Sequence, residues 1–497
     1  MTDSLEARIA GRALDYVLQP PGGSDPVIDF ASPQDLLVAF ERDVSIGLAD
    51  QVEPAADDAL LRAVDLVIQH SMHTTHPRFL NQNFAGPDPV AVVGDWLGAA
   101  LNTTGATFEA APVFTLMESA VLSKLGRIAG YPTAASSAEL PPGMFCPGGS
   151  TATLYALQLA RHRRNPEMVR SGAGSERLVL FVSSSGHYAA KKSAALLGIG
   201  MDAVIEVETD ADGAMIPAAL ERSIAEAIAR GDTPFAVIGT CGTTVTSAFD
   251  DLEALADICE ANNLWLHADG CYGGSSLFSE TQAHHMRGVD RSDSFVWNLH
   301  KMMGITQQCT ALLVREPSQL APCFATGADY LFQPDKEHGE FDSGDRTFQC
   351  ARRIDVLKLW LTWKARGDAG FAARIDHSVA MADHSRRIIE SSGDQFVTVV
   401  EGDFTNVVFL WVPPELRPLD LATVTEDDRL RLHELAPLIK AKMQAAGTAM
   451  LGFQPVHGLN TFRILFMNPE VSAADVDAVF ALIDQYGREV TAEPPNR

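Results

Sequence analysis

The chain has 497 residues, 46 % of them apolar and 21 % charged, enough for a large buried core and inconsistent with wholesale disorder. Its formal charge is −26 and its pI is near 4.8. That argues against nucleic acid or an anionic membrane as a partner, because both require a basic footprint.

At about 150 residues per domain the length suggests roughly three units. Residues 1–95 read as a helical segment with connections rich in Pro and Gly. The opening MTDSLEARIAGRALDYVLQ lacks the apolar core of an export signal, and no apolar run approaches the ~20 residues of a membrane span. A cytoplasmic location is expected. The seven cysteines are an odd number, scattered, with no C-x-x-C, so neither a disulfide framework nor a zinc site is expected. His284 and His285 are adjacent, and adjacent side chains diverge, so no metal site is expected there.

Residues 96–370 alternate short apolar strands with helical patterns. RLVLFVSSS (177–185), PFAVIGTCG (234–242), NLWLHADG (263–270), SFVWNLH (294–300) and TALLVRE (310–316) are apolar on both faces, as buried parallel strands are. Before the first of them, STATLYALQLARHRR (150–164) places Ala152, Tyr155, Ala156 and Leu159 on one helical face. Such alternation predicts an α/β fold with a mostly parallel sheet covered by helices. Residues 371–497 change pattern: a helix, then TNVVFLWVP (405–413), TFRILFMNP (461–469) and a closing helix over 473–490. This reads as a smaller C-terminal α+β domain.

In open α/β sheets, ligands bind beyond the carboxyl ends of the strands, so the polar groups that follow each strand are the candidates. The loop CPGGST (146–151) precedes a helix. Gly148 and Gly149 let backbone N–H groups approach an anion, Ser150 offers a hydroxyl, and the helix start is positive. The alternative is a plain turn with Ser150 capping the helix. Asp269 follows an apolar strand, where a carboxylate is costly unless paired. A pyridinium N–H would be a suitable partner; a helix cap is the alternative. Lys301 follows another strand, in WNLHKMM. An amine that forms a Schiff base must be partly neutral, which an apolar pocket favours; a lysine snorkelling at a strand end is the alternative. His187 could stack on a ring or serve the structure. Taken together, an amine anchor, an acid facing a ring nitrogen and an anion cradle are what pyridoxal 5'-phosphate requires of a protein.

These residues resemble the pyridoxal-phosphate (group II) amino acid decarboxylase family, which includes glutamate, aromatic amino acid and cysteine sulfinate decarboxylases. FCPGGSTATLYALQLAR, SSSGHYAAKKSAALLGIG, GTCGTTVTSAFDDLEALADIC, WLHADGCYGGS and WNLHKMMGITQQCTALLV each look like a family block. The likeness runs from about residue 60 to 490 and is nearest the glutamate/cysteine sulfinate branch. It implies the aspartate-aminotransferase-like fold (fold type I) and a homodimer with shared active sites, the N-terminal segment contributing to the dimer. By position, Lys301 would hold the cofactor, Asp269 would pair with its ring nitrogen, and His187 would stack on the ring. Gly149, Ser150 and His300 would touch the phosphate with Asn298 beside them, and Thr243 and Thr244 would lie near the ring's polar edge. Tyr330, in GADYLFQPDK, matches a loop tyrosine that protonates the carbon left when CO2 departs.

The same resemblance bears on substrate. Arg463 matches an arginine that grips a substrate carboxylate, and Gln82 a glutamine that helps bind the distal acid. Phe84 and Thr104 follow the sulfinate pattern more than the glutamate one. The implied activity is decarboxylation of an acidic L-amino acid, with aspartate or cysteine sulfinate favoured over glutamate. Ala106 stands where relatives carry an aromatic ring, which leaves open a different or larger amino acid. An oxidative aldehyde synthase on the same scaffold is a further alternative, disfavoured by the presence of both Tyr330 and His187. Two departures stand in the cofactor motifs: Leu299 replaces the usual proline of W-N-P-H-K, and Gly270 replaces an alanine that packs on the ring.

Overall fold

The structure is a computed structural model that describes residues 4–42, 44–50, 52–132, 141–327 and 336–492. In chain order the strands are β1 (Phe79–Leu80), β2 (Gly143–Cys146), β3 (Leu178–Ser183), β4 (Val204–Val207), β5 (Thr233–Thr240) and β6 (Trp265–Asp269). They continue with β7 (Ser294–Asn298), β8 (Thr310–Val314), β9 (Phe396–Val400), β10 (Asn406–Trp411), β11 (Met450–Val456) and β12 (Leu459–Leu465). The chain divides into two compact units, Val90–His377 and a discontinuous one made of Met1–Pro89 with Ser378–Arg497.

Val90–His377 is built on a seven-stranded sheet of order β2-β8-β7-β6-β5-β3-β4. Pairings among β4, β3, β5, β6 and β7 are parallel. β8 runs antiparallel to both β7 and β2, so β2 shares the direction of the parallel set. The parallel reading of residues 310–316 is therefore corrected. The β7–β8 connection holds no helix, and it is shorter than the dozen or more residues that a parallel crossover needs.

Both faces of this sheet are covered, which explains the unbroken apolar runs. On β3, Leu178, Leu180 and Val182 enter one core with Ala152, Tyr155, Ala156 and Leu159 of the helix Gly149–Arg164. Val179 and Phe181 enter the opposite core with Leu220 and Ile224 of Pro217–Ala229 and Leu255 of Leu252–Asn262. Each buried Leu, Ile, Val or Phe among these contributes about 1.5–3 kcal/mol of transfer free energy. Local signals set the helix limits. Pro217 opens its helix at a position where no N–H is needed. Asp251 caps the next by accepting the Ala254 N–H, and Asn263 ends it in the left-handed region at φ 51°.

The discontinuous unit carries a sheet of order β1-β11-β12-β10-β9, antiparallel except where β1 joins β11. The helices Glu426–Ala445 and Ala473–Ala492 pack on it through Leu432, Ile439, Val479 and Ile483. This is the α+β architecture expected for the C-terminal part. The N-terminal stretch joins it instead of standing alone, because Phe79 and Leu80 pair with Met450 and Leu451. A two-residue strand leaves no periodicity to read in sequence. Among the described residues no helix is long and apolar enough to cross a membrane, and all seven cysteines are free thiols.

Candidate functional site

The carboxyl ends of the parallel strands converge on a cavity of about 150 Å³. Gly149, Ser150, His187, Thr244, Asp269, Asn298 and Lys301 line it, all named from the sequence. Thr153, Ala189, Thr240, Gly242, Cys271 and Tyr272 line it as well and were not anticipated. Thr240 and Cys271 carried the usable signal: each stands at or just past the end of an apolar strand.

The loop between β2 and its helix forms one wall. Gly148 has φ +92°, a conformation that favours glycine, and it occupies the N-cap without any side-chain cap bond. Ser150 is thus in the first turn and does not cap the helix, and the helix N-terminus keeps its N–H groups for a ligand. A methyl on Gly149 would overlap the Cys271 thiol and lie 3.1 Å from Asn298 Nδ2. Asn298 is oriented by its Oδ1, which accepts the Thr310 hydroxyl at 2.8 Å.

Asp269 ends β6, is 9 % exposed, and accepts the Cys271 N–H at 3.1 Å. Burial alone would raise its carboxyl. His267, the Cys271 thiol, His187 and Lys301 outweigh that and hold it below the usual carboxylate range. His187 accepts the Ala189 N–H at Nδ1 (3.3 Å), which leaves the proton of the neutral ring on Nε2. Burial lowers its pKa, so the ring is neutral near pH 7. Its centroid lies 4.0 Å from that of Tyr188.

Lys301 sits in a tight turn: its N–H bonds Asn298 O (3.1 Å) and its carbonyl accepts Gly304 N–H (3.1 Å). Arg374 braces that turn from its helix, donating Nε–H to Met302 O at 2.8 Å. His300 is held at Nδ1 against the Cys309 backbone, and burial pushes its pKa down to about 4. It is not among the cavity-lining residues. Neither is Thr243, whose hydroxyl is engaged with Thr246 (2.7 Å) and the Ala248 N–H (3.0 Å) inside its own turn.

Both sequence departures have local explanations. Leu299 donates its N–H to Cys309 O at 2.9 Å, a bond that proline lacks. At Gly270 a methyl would overlap the Phe295 ring and lie 3.2 Å from Gly274 Cα, so the missing alanine is matched by a bulky neighbour.

The remaining candidates fall into two groups. Thr104 and Ala106 lie on a segment of the larger unit stitched to residues 342–352. Thr104 Oγ1 accepts the Arg352 N–H (3.0 Å), and Ala106 O accepts the Ser343 and Gly344 N–H groups (3.0 Å each). Arg352, itself paired with Glu118 at 2.6 Å, also donates to Gly105 O at 3.0 Å. In the other unit, β12 carries Arg463, which is 4 % exposed. Its guanidinium donates to Asn81 O and to Asn83 Oδ1 (3.4 Å), the residues flanking exposed Gln82. Phe84 packs on Phe79 at 5.7 Å. Tyr330 lies outside the described residues.

The sequence model of the pyridoxal-dependent decarboxylase conserved domain matches residues 44–412. The chain belongs to that family. It is 41 % identical over 474 residues to rat cysteine sulfinic acid decarboxylase, covering 94 % of this chain and 92 % of that protein. It is 40 % identical over 496 residues to the human enzyme of the same name, covering 98 % and 97 %. A crystal structure of mouse CSAD in apo form superposes with a TM-score of 0.90 at 39 % identity, covering 97 % of this chain and 98 % of that one. The chain is a pyridoxal-phosphate-dependent amino acid decarboxylase, a carboxy-lyase of fold type I.

The residues present fit that cofactor. The Gly149 cradle at an uncapped helix start suits a phosphate. The cavity also holds one amine and a buried carboxylate kept anionic, and Thr240 Oγ1 is a buried oxygen with no hydrogen-bond partner among the described residues.

Proposed function

We propose that this decarboxylase acts on an acidic L-amino acid, with aspartate or cysteine sulfinate preferred over glutamate, and that Lys301 tethers its cofactor. The observation that carries the substrate reading is Arg463: a buried guanidinium gripped by the Asn81–Asn83 segment, with Gln82 between its two partners. A planar guanidinium suits bidentate binding of a carboxylate or sulfinate. The roughly 40 % identity to cysteine sulfinic acid decarboxylases supports the same reading.

Bound pyridoxal phosphate supplies an electron sink for the pair released when a Cα–carboxylate bond breaks. The chain's own groups do the rest. Backbone N–H groups from Gly149 onward, with Ser150 Oγ, hold the phosphate. Asp269 keeps a proton on the ring nitrogen. Neutral His187 packs on the ring face. Asn298 stands beside the phosphate at the Gly149 cradle, and Thr244 borders the ring's polar edge. His300 and Thr243 act from behind, steadying Lys301 and the 243–248 turn. Tyr330 Oη delivers the proton to substrate Cα, and Arg463 with Gln82 and Phe84 orients the distal acid.

A homodimer is part of this reading. The helix Pro89–Leu101 presents Val93, Trp96, Leu97 and Leu101, each more than a third exposed, and Val113 and Leu116 follow on the next helix. Apolar surface of that kind is normally covered by a partner. Sedimentation at micromolar concentration should give a dimer mass; a monomer would remove the shared-site element.

The deciding experiment offers aspartate, cysteine sulfinate, cysteate, glutamate and larger amino acids separately and quantifies CO2, amine and aldehyde. Amine matching CO2 from a short acid is expected. Turnover confined to larger amino acids would favour the second reading, in which Ala106 opens the pocket. Aldehyde in place of amine would overturn the non-oxidative reading.

A further inference from the structure

Lys301 enters the cavity from a turn that is held on both sides. On the entry side Leu299 donates its N–H to Cys309 O at 2.9 Å, and the Cys309 backbone holds His300 Nδ1 at 2.9 and 3.1 Å. On the exit side the Met302 carbonyl accepts Arg374 Nε–H at 2.8 Å. Met302 is wholly buried, and a bond from a guanidinium to a carbonyl in such surroundings is charge-assisted. Gly304 closes the turn by donating its N–H to Lys301 O, at φ +67°. A methyl there would come within 2.5 Å of Arg374 Nη2, so the glycine and the arginine are a matched pair. Arg374 stands on the long helix Val356–Ser391, past its break at Gly367. It is not among the cavity-lining residues, so it acts on a ligand there through the turn.

We propose that Arg374 is a positioning residue for the cofactor lysine: by holding the Met302 carbonyl and packing against Gly304 it keeps the Lys301 amine within reach of the cofactor's aldehyde. The inference rests on the reading that Lys301 is the tether. Attachment condenses the neutral Lys301 amine with that aldehyde, forming a C=N bond and releasing the aldehyde oxygen as water. A lysine amine rides on a flexible four-carbon stem. If the turn beneath it also moved, the amine would meet the aldehyde less often, because such a bond depends on orientation as much as on reactivity. Fixing the backbone one residue beyond Lys301 removes that freedom without placing a second cation in the cavity.

The test compares two ligands on the cofactor-free full chain: pyridoxal phosphate, and pyridoxamine phosphate, whose amine replaces the aldehyde and cannot bond to a lysine. Both carry the same ring and phosphate, so they differ only at the group that Lys301 meets. Dissociation constants come from quenching of tryptophan fluorescence. Arg374→Met removes the donor and keeps the bulk of the stem. It should weaken pyridoxal phosphate about tenfold and leave pyridoxamine phosphate within about twofold. Arg374→Lys keeps the charge and should lose only about threefold for pyridoxal phosphate; it carries the test if the methionine variant fails to fold. Added to Lys301→Ala, Arg374→Met should cost pyridoxal phosphate nothing more, and a further loss there would overturn the proposal. Equal losses for both ligands would make Arg374 merely structural, and no loss for either would also overturn the proposal. Lys301→Ala alone serves as the reference. If it fails to discriminate the two ligands, the tether reading falls and this proposal with it. If it discriminates while the Arg374 variants do not, this proposal alone falls.

Discussion

The Cys271 thiol lies against Gly149 so closely that no side chain fits between them. The turn after β6 thereby closes the floor of the anion cradle built by the loop after β2, two segments more than a hundred residues apart.

Gly149→Ala should therefore weaken pyridoxal phosphate by at least about tenfold, near 1.4 kcal/mol. Cys271→Gly in the same chain should restore much of the affinity by making room for the methyl. Cofactor titration of the single and double variants checks this. An unchanged constant in the single variant would show that the cradle is elsewhere.

Gly270 and Phe295 form a second matched pair, since a methyl at 270 would enter the Phe295 ring. Gly270→Ala should cost about 1–3 kcal/mol by overpacking. Phe295→Val should cost a similar amount alone through its cavity, and less than the sum when combined. Strict additivity in urea denaturation would refute the coupling.

Lys301→Ala should abolish amine formation. Borohydride reduction of the wild-type holoenzyme should leave the cofactor's mass on the tryptic peptide that contains Lys301, with none fixed on the variant. Cofactor fixed to another lysine would displace Lys301 from its assigned role.

The pH dependence follows from His300, whose folded value of about 4 lies below its ordinary 6.5. Between those values the unfolded chain binds a proton that the folded one refuses. Stability is therefore full above about pH 6.5 and falls, by a few kcal/mol at most, as pH drops toward 4. His300→Asn should flatten that limb of the urea midpoint against pH in cofactor-free protein. An identical slope in variant and wild type would remove His300 as a cause.

Much of the fold and site was legible because strand-end chemistry is local. Apolar runs ending in Asp269 and Asn298, with Lys301 just beyond, and a Gly-Gly pair before an amphipathic helix, mark positions that any parallel sheet gathers at one edge. The branch-like blocks added the family, which the 44–412 match and the rat and human relatives bear out. Less legible were features that depend on partners distant in sequence. The direction of β8 depended on the length of a connection and not on its composition. β1 is too short to carry a pattern.

Sequence by itself determined the fold class, the cofactor and the set of strand-end groups, since each is encoded within a dozen neighbouring residues. Tertiary structure alone decided how those groups are set. It turned Thr243 into its own turn and Thr240 toward the cavity, and it spent the Leu299 N–H on Cys309. It matched Gly270 to Phe295 and set His267 on β6 against Ser294 on β7. These are choices among contacts across strands, and packing at fixed volume makes them only once the sheet is assembled.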